Sequence, residues 1–242
     1  MKFRKLLLSL LFFTAIAGAQ THFTKFTAAK YIQVQIRITH EDSLRICQID
    51  LSKYSGKEKI SIELQEIKDS DSSRVLIFHA KKLHQTIYID TPIWFLLDVA
   101  LLSDLNGDGR YDIKLNFFGT GNGLAGLAAT KLYMYSNGDE FRAFTFLDFS
   151  SEKEYDFNND GQYEILGCNH VYKDEHSYWV YNAYDFIGNK MINISEKIGY
   201  PLWTKHLMRT NRVVAGNVSP ADRIRELKPL PDNFHYCFKI VD

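Results

Sequence analysis

The sequence predicts an all-β protein built of antiparallel meanders, and three observations carry that expectation. Apolar and polar residues alternate along Tyr31–Ile38, the pair Asn137-Gly138 separates two aromatic runs, and helix-start signals are few. Alternation with period two marks a strand with one wet face, because successive side chains point to opposite sides of the pleat. Asn-Gly marks a hairpin, because both residues tolerate positive φ.

The elements follow in chain order. Met1–Ala19 has a basic start (Lys2, Arg4, Lys5), an apolar stretch from Leu6 to Ala15, and the small-residue pattern Ala17-Gly18-Ala19. That is the three-part layout of a secretory signal peptide, removed to leave Gln20 first, so the expected location is secreted or periplasmic. The apolar stretch falls short of the roughly 20 residues a membrane helix needs. No Cys follows the small residues, which argues against lipid attachment.

Residues 20–95 read as an N-terminal β-rich region. Strands are expected at Tyr31–Ile38, Leu44–Leu51, Ile60–Leu64 and Val75–Phe78, with polar turns at Lys53–Lys57 and Lys68–Ser73. Residues 96–242 form a second β region, which one continuous domain with 20–95 would also accommodate. Pro92–Leu102 is the richest apolar run after the leader, too short to span a bilayer, and reads as a buried strand. Lys131–Tyr135 and Phe141–Phe149 flank the Ser136–Asp139 turn, and Tyr178–Tyr181 with Phe186–Met191 suggest another hairpin or meander. Ser219 before Pro220 starts a short helix, with Ser as cap and Pro at the first position. Phe234–Val241 reads as a final strand.

Charge narrows the partners. Removing the leader takes three basic residues and no acidic one, leaving 29 − 3 = 26 positive against 29 negative, or −3 with His neutral. Binding nucleic acid requires a concentrated positive surface, so nucleic acid is excluded as the expected partner. Cys47, Cys168 and Cys237 allow either one disulfide with a thiol left over or three buried thiols.

The chemistry-bearing motif occurs twice. Asp104-Leu105-Asn106-Gly107-Asp108-Gly109-Arg110-Tyr111-Asp112-Ile113 is matched by Asp156-Phe157-Asn158-Asn159-Asp160-Gly161-Gln162-Tyr163-Glu164-Ile165, 156 − 104 = 52 residues later. Both have Asp at place one, Asn at three, Asp-Gly at five and six, Tyr at eight, an acid at nine and Ile at ten, which suggests a repeated structural unit. Calcium takes six to eight oxygen ligands at about 2.3–2.6 Å, and a tight loop lets places one, three, five and nine converge on one ion. The carbonyl at place seven can add an oxygen. The expected ligands are therefore Asp104, Asn106, Asp108, Arg110 (carbonyl) and Asp112, then Asp156, Asn158, Asp160, Gln162 (carbonyl) and Glu164. Gly109 and Gly161 permit the sharp turn. Three carboxylates per loop repel one another, and a divalent cation removes that repulsion. Magnesium suits the loops less well, since it prefers a small octahedral shell that retains water. An EF-hand is excluded by context: place twelve is Leu115 or Gly167 rather than Glu, and a strand follows each loop.

These two loops, each entering a strand, resemble the FG-GAP and VCBS-type repeats of calcium-binding β-propellers. The resemblance covers about residues 96–200 and implies a partial or small β-propeller-like architecture whose loops hold calcium between strands of a blade. The layout is also similar to small secreted calcium-binding proteins that inhibit lysozyme.

Other constellations are weaker. Cys168, His170 and His176 fit zinc spacing only loosely. Cys168 with His206 or His235 has no local signature of a catalytic pair. Gly119–Gly126 lacks the lysine of a phosphate loop and reads as a mobile or recognition loop. Tyr172, Tyr178, Trp179, Tyr181, Tyr184 and Trp203 suit a binding face or a core, and alternation sends half of them inward. Asn193 and Asn217 begin glycosylation-type triplets. The functional expectation is a secreted calcium-binding module for a protein or glycan partner, with calcium structural. The alternatives are a secreted hydrolase acting on glycans or peptides, or an inhibitor of a cell-wall hydrolase. A binding protein is favoured over an enzyme, because the clearest carboxylate cluster is already assigned to metal.

Overall fold

A computed structural model of the chain describes residues 22–41, 44–67, 70, 72–90, 99–118, 128–149, 153–188, 190–206 and 212–239. The leader, the start of the Pro92–Leu102 run, Lys68, Asp69, Asp71 and the Gly119–Gly126 loop lie outside the described residues.

The described strands are β1 (Thr27–Ala28), β2 (Ile32–Glu41), β3 (Leu44–Asp50), β4 (Ile60–Ile67), β5 (Ser73–His79), β6 (Lys82–Ile89), β7 (Val99–Ser103), β8 (Asp112–Phe118), β9 (Ala129–Asn137), β10 (Glu140–Asp148), β11 (Tyr155–Asp156), β12 (Ile165–Lys173), β13 (His176–Ile187), β14 (Lys190–Asn193), β15 (Leu202–His206), β16 (Arg212–Val214) and β17 (His235–Lys239). The α-helix Pro220–Arg225 begins as its sequence predicts, with Ser219 Oγ accepting from the Asp222 N–H at 3.1 Å. The all-β, antiparallel expectation holds. The chain divides into two compact units, Ala29–Asp148 with Pro231–Asp242, and Met1–Ala28 with Phe149–Leu230.

The first unit is a barrel. β2 to β6 form one meander and β7 to β10 another; β2 pairs with β7, and β17 lies between β10 and β6 to close the ring. β2 to β6 come from the 20–95 region and β7 to β10 from the 96–242 region, so both regions build the same sheet. Its interior is filled by alternating side chains such as Ile49, Ile62, Val75, Ile77, Leu102, Ile113 and Leu132. Each fully buried aliphatic side chain contributes about 1.5–3 kcal/mol. The opposite face of β9 and β10 is buried too, with Tyr133 stacked 5.4 Å from Phe144 and 5.7 Å from Phe146, and a buried ion pair between Lys131 and Asp148. A hairpin forms here, but one residue later than expected: Asn137 ends β9 paired to Glu140, and Gly138-Asp139 make the turn, with Gly138 at φ +68°.

β6 has no counterpart in the strands expected from sequence. Its inward residues are Gln85, Ile87 and Ile89, and a glutamine breaks the apolar alternation. The Gln85 amide behaves like a strand partner: Nε2 donates to the Phe141 carbonyl at 2.7 Å, and Oε1 accepts from the Phe141 N–H at 2.8 Å.

The second unit is an open sheet in the order β12-β13-β15-β16, with β14 also paired to β13, and a separate β1-β11 ribbon. β13 is buried on both faces. Trp179, Tyr181 and Ala183 pack with Phe23, Tyr155, Phe157 and Tyr200, whereas Tyr178 and Val180 pack with Trp203 and Ala215. Five of the six aromatics expected as either face or core are therefore core, and Tyr172 alone of the six is exposed, at 69 %. None of the three cysteines is in a disulfide, and burial pushes the Cys237 thiol up to about 12.

Candidate metal centre

Both acidic loops fold into the same turn. The first joins β7 to β8, and the second runs from β11 to β12. In each, the residue before place one pairs antiparallel with place nine: Ser103 with Asp112, and Tyr155 with Glu164. Places four and six have left-handed backbone in both copies, with φ +72° and +81° at Gly107 and Gly109, and +61° and +84° at Asn159 and Gly161. A Cβ at Gly109 or Gly161 would meet no atom within 4 Å, so glycine is needed there for conformation and not for space.

The hydrogen bonds repeat as well. The Asp108 N–H donates to Asp104 Oδ1 and Asn106 Oδ1, both at 3.1 Å. The Asp160 N–H donates likewise to Asp156 Oδ1 at 3.1 Å and Asn158 Oδ1 at 2.9 Å. Gly109 N–H reaches Asp104 Oδ2 at 2.9 Å, and Gly161 N–H reaches Asp156 Oδ2 at 3.1 Å. Arg110 N–H and Gln162 N–H donate to Asp108 Oδ1 and Asp160 Oδ1, each at 2.8 Å. Equivalent bonds agree within 0.2 Å. The short Asx side chains thus cap successive N–H groups of a turn that has no regular ladder to satisfy them.

Place nine is where the copies part. Leu105 N–H donates to Asp112 Oδ2 at 2.7 Å, as Phe157 N–H donates to Glu164 Oε2 at 2.8 Å. Asp112 also accepts from Asn106 N–H at 3.3 Å and, through Oδ1, from Ser136 N–H of β9 at 2.8 Å. Glu164 Oε1 is buried and has no hydrogen-bond partner among the described residues. Register supplies the reason. Ile113 pairs with Met134 and Ile165 with Tyr184, so the position equivalent to Ser136 is Phe186. The Phe186 N–H is engaged by the Asp185 carboxylate instead. Burial pushes Asp112 up to about 7 against the N–H groups of Ser136 and Leu105, with the charge of Asp108 adding. Burial likewise pushes Glu164 up to about 7 against the Phe157 N–H, and the charges of Asp185 and Asp160 add to it.

The donor chemistry fits a hard cation. Every candidate side-chain ligand is an oxygen, and an oxygen that accepts one N–H keeps a second acceptor site. The orphaned Glu164 Oε1 is an oxygen that a cation would satisfy. As the side chains stand, the carboxylates face the N–H groups of their own turn, and among the described residues no three His, Cys, Asp or Glu side chains are grouped to hold a metal. Cys168, His170 and His176 accordingly form no such group: Cys168 is buried, His170 sits 5.3 Å from the Trp179 ring, and His176 is exposed at the hairpin end.

Asp185 is the acidic neighbour that sequence reasoning missed. It lies 185 − 164 = 21 residues beyond Glu164, on β13, and only strand register brings it to the second loop. Asn193 of the first glycosylation-type triplet is half-buried, with its amide donating to the Lys228 carbonyl and its Oδ1 accepting from Ser195 N–H at 2.7 Å. No helix among the described residues is long and apolar enough to cross a membrane. No family model, no curated protein and no solved structure matches the chain.

Proposed function

We propose that the protein is an exported binding module in which each acidic loop holds one calcium ion as a structural element, in the manner of the FG-GAP and VCBS-type repeats its loops resemble. The observation that carries this reading is the doubled turn. Two segments 52 residues apart adopt the same left-handed positions and the same hydrogen bonds, with oxygen side chains at the same places. At place nine of the second loop Glu164 Oε1 is buried with no hydrogen-bond partner among the described residues, a cost that a bound divalent cation would remove. The chain's own contribution is to fix the turn before the ion arrives: backbone N–H groups orient Asp104, Asn106 and Asp108, then Asp156, Asn158 and Asp160. Asp104, Asn106, Asp108, Asp112 and the Arg110 carbonyl would hold the ion in the first loop, and Asp156, Asn158, Asp160, Glu164 and the Gln162 carbonyl would hold it in the second.

Calorimetric titration of the chelator-treated protein with calcium should show up to two sites and a raised melting temperature. A ligand at one hundred times its Kd adds about 2.7 kcal/mol. Absence of heat together with an unmoved melting temperature in millimolar calcium would remove the proposal.

A further inference from the structure

The barrel unit carries a cavity of about 190 Å³ beside the first loop. Its floor is apolar, made by Leu51, Ile60, Leu102 and Phe141. At its mouth Tyr54 and Tyr111 meet edge to face, ring centroids 6.1 Å apart, and Tyr111 is 38 % exposed. Glu58, Asp139 and Arg110 stand at the rim, all exposed. Three connections supply these walls: the β3–β4 turn, the first acidic loop, and the β9–β10 hairpin.

The acidic loop also holds the hairpin wall. Asp112 accepts from the Ser136 N–H at 2.8 Å, Asn106 Nδ2 donates to the Ser136 carbonyl at 3.3 Å, and the Arg110 guanidinium donates to the Gly138 carbonyl. Two of the three walls therefore depend on the shape of one loop.

We propose that this cavity is a saccharide subsite for a single neutral pyranose ring, and that the ion in the first loop sets its shape; the coupling rests on the calcium reading above. The volume matches one sugar ring or one side chain seated within the cavity. A pyranose has apolar C–H faces and a hydroxyl edge, which matches an apolar floor, two tyrosine rings and carboxylate acceptors at the rim. An anionic ligand is disfavoured. Glu58 and Asp139 outnumber Arg110, whose guanidinium already donates to the Gly138 carbonyl. A purely apolar side chain would leave the polar half of the rim desolvated without partners.

Saturation-transfer NMR on the full chain tests this, using cellotriose, chitotriose and the anionic trigalacturonate as probes in 2 mM calcium (a concentration of about the usual upper range for extracellular sites). Transfer is expected from at least one neutral trisaccharide and not from trigalacturonate, and chelation should weaken it at least tenfold. Tyr111→Ala should abolish transfer while the melting curve still shows a cooperative folded state, and Tyr111→Phe should retain it. Tyr172→Ala, at the exposed aromatic of the other unit, should leave it unchanged. If calorimetry shows the calcium sites filled and neither neutral sugar gives transfer, the subsite is overturned while the calcium reading stands. Transfer indifferent to chelator overturns the coupling, equal transfer from trigalacturonate overturns the assigned chemistry, and absence of calcium binding overturns the earlier reading instead.

Discussion

Asp112 and Glu164 occupy the same place in the same turn, yet Asp112 uses both oxygens on backbone donors while Glu164 Oε1 finds no partner among the described residues. The barrel loop finds its extra donor in Ser136, one strand away. In the sheet unit the equivalent donor, Phe186, is taken by Asp185. The ten-residue pattern encodes a turn, whereas the strand alongside decides what that turn still lacks. The first loop has both Asp112 oxygens matched, one of them through β9, and lines a cavity; the second retains a buried oxygen with no hydrogen-bond partner among the described residues.

The largest expected effect that would break this contrast is on stability in chelator. Asp112→Ala strands three backbone N–H groups and should cost about 3 kcal/mol, since each buried unsatisfied donor costs about 1–3 kcal/mol. Glu164→Ala strands one and should cost about 1 kcal/mol. Urea unfolding of the two variants measures both, and equal losses would mean that the copies are completed alike. A middle-sized effect tests their sameness. Gly109→Ala and Gly161→Ala should each cost about 1–2 kcal/mol, because both force a Cβ into left-handed backbone with no steric neighbour. Thermal unfolding that separates the two by more than about 1 kcal/mol would show that the turns are not equivalent. The smallest effect sharpens the role of the neighbour. Asp185→Ala frees the Phe186 N–H for Glu164, so a double-mutant cycle between Asp185 and Glu164 should give a coupling of about 0.5–1 kcal/mol, and strict additivity would refute the shared donor.

Much of the fold is legible in the chain because it is local. Tyr31–Ile38 alternates, the chain turns at Gly138 beside Asn137, and Ser219-Pro220 caps a helix, each for reasons contained within a few residues. β6 escapes because its pattern is completed by Gln85, whose partner Phe141 lies 56 residues away. The Tyr178–Tyr184 aromatics are all buried, where alternation alone sends only half inward, because β13 is covered on both faces. The ligand pattern of the loops is written in the sequence. Ser136 and Asp185 are not, since register alone brings each to its loop.

The ring that encloses Ile62 and Leu132 is sealed by β17, after the chain has left β10 and traversed an inserted unit of 230 − 149 + 1 = 82 residues. Until that late segment arrives, β6 and β10 present bare edges of the kind that recruit foreign strands. Folding of the barrel is thereby tied to long-range closure, which slows it relative to a simple meander and leaves its seam the place where assembly can go astray.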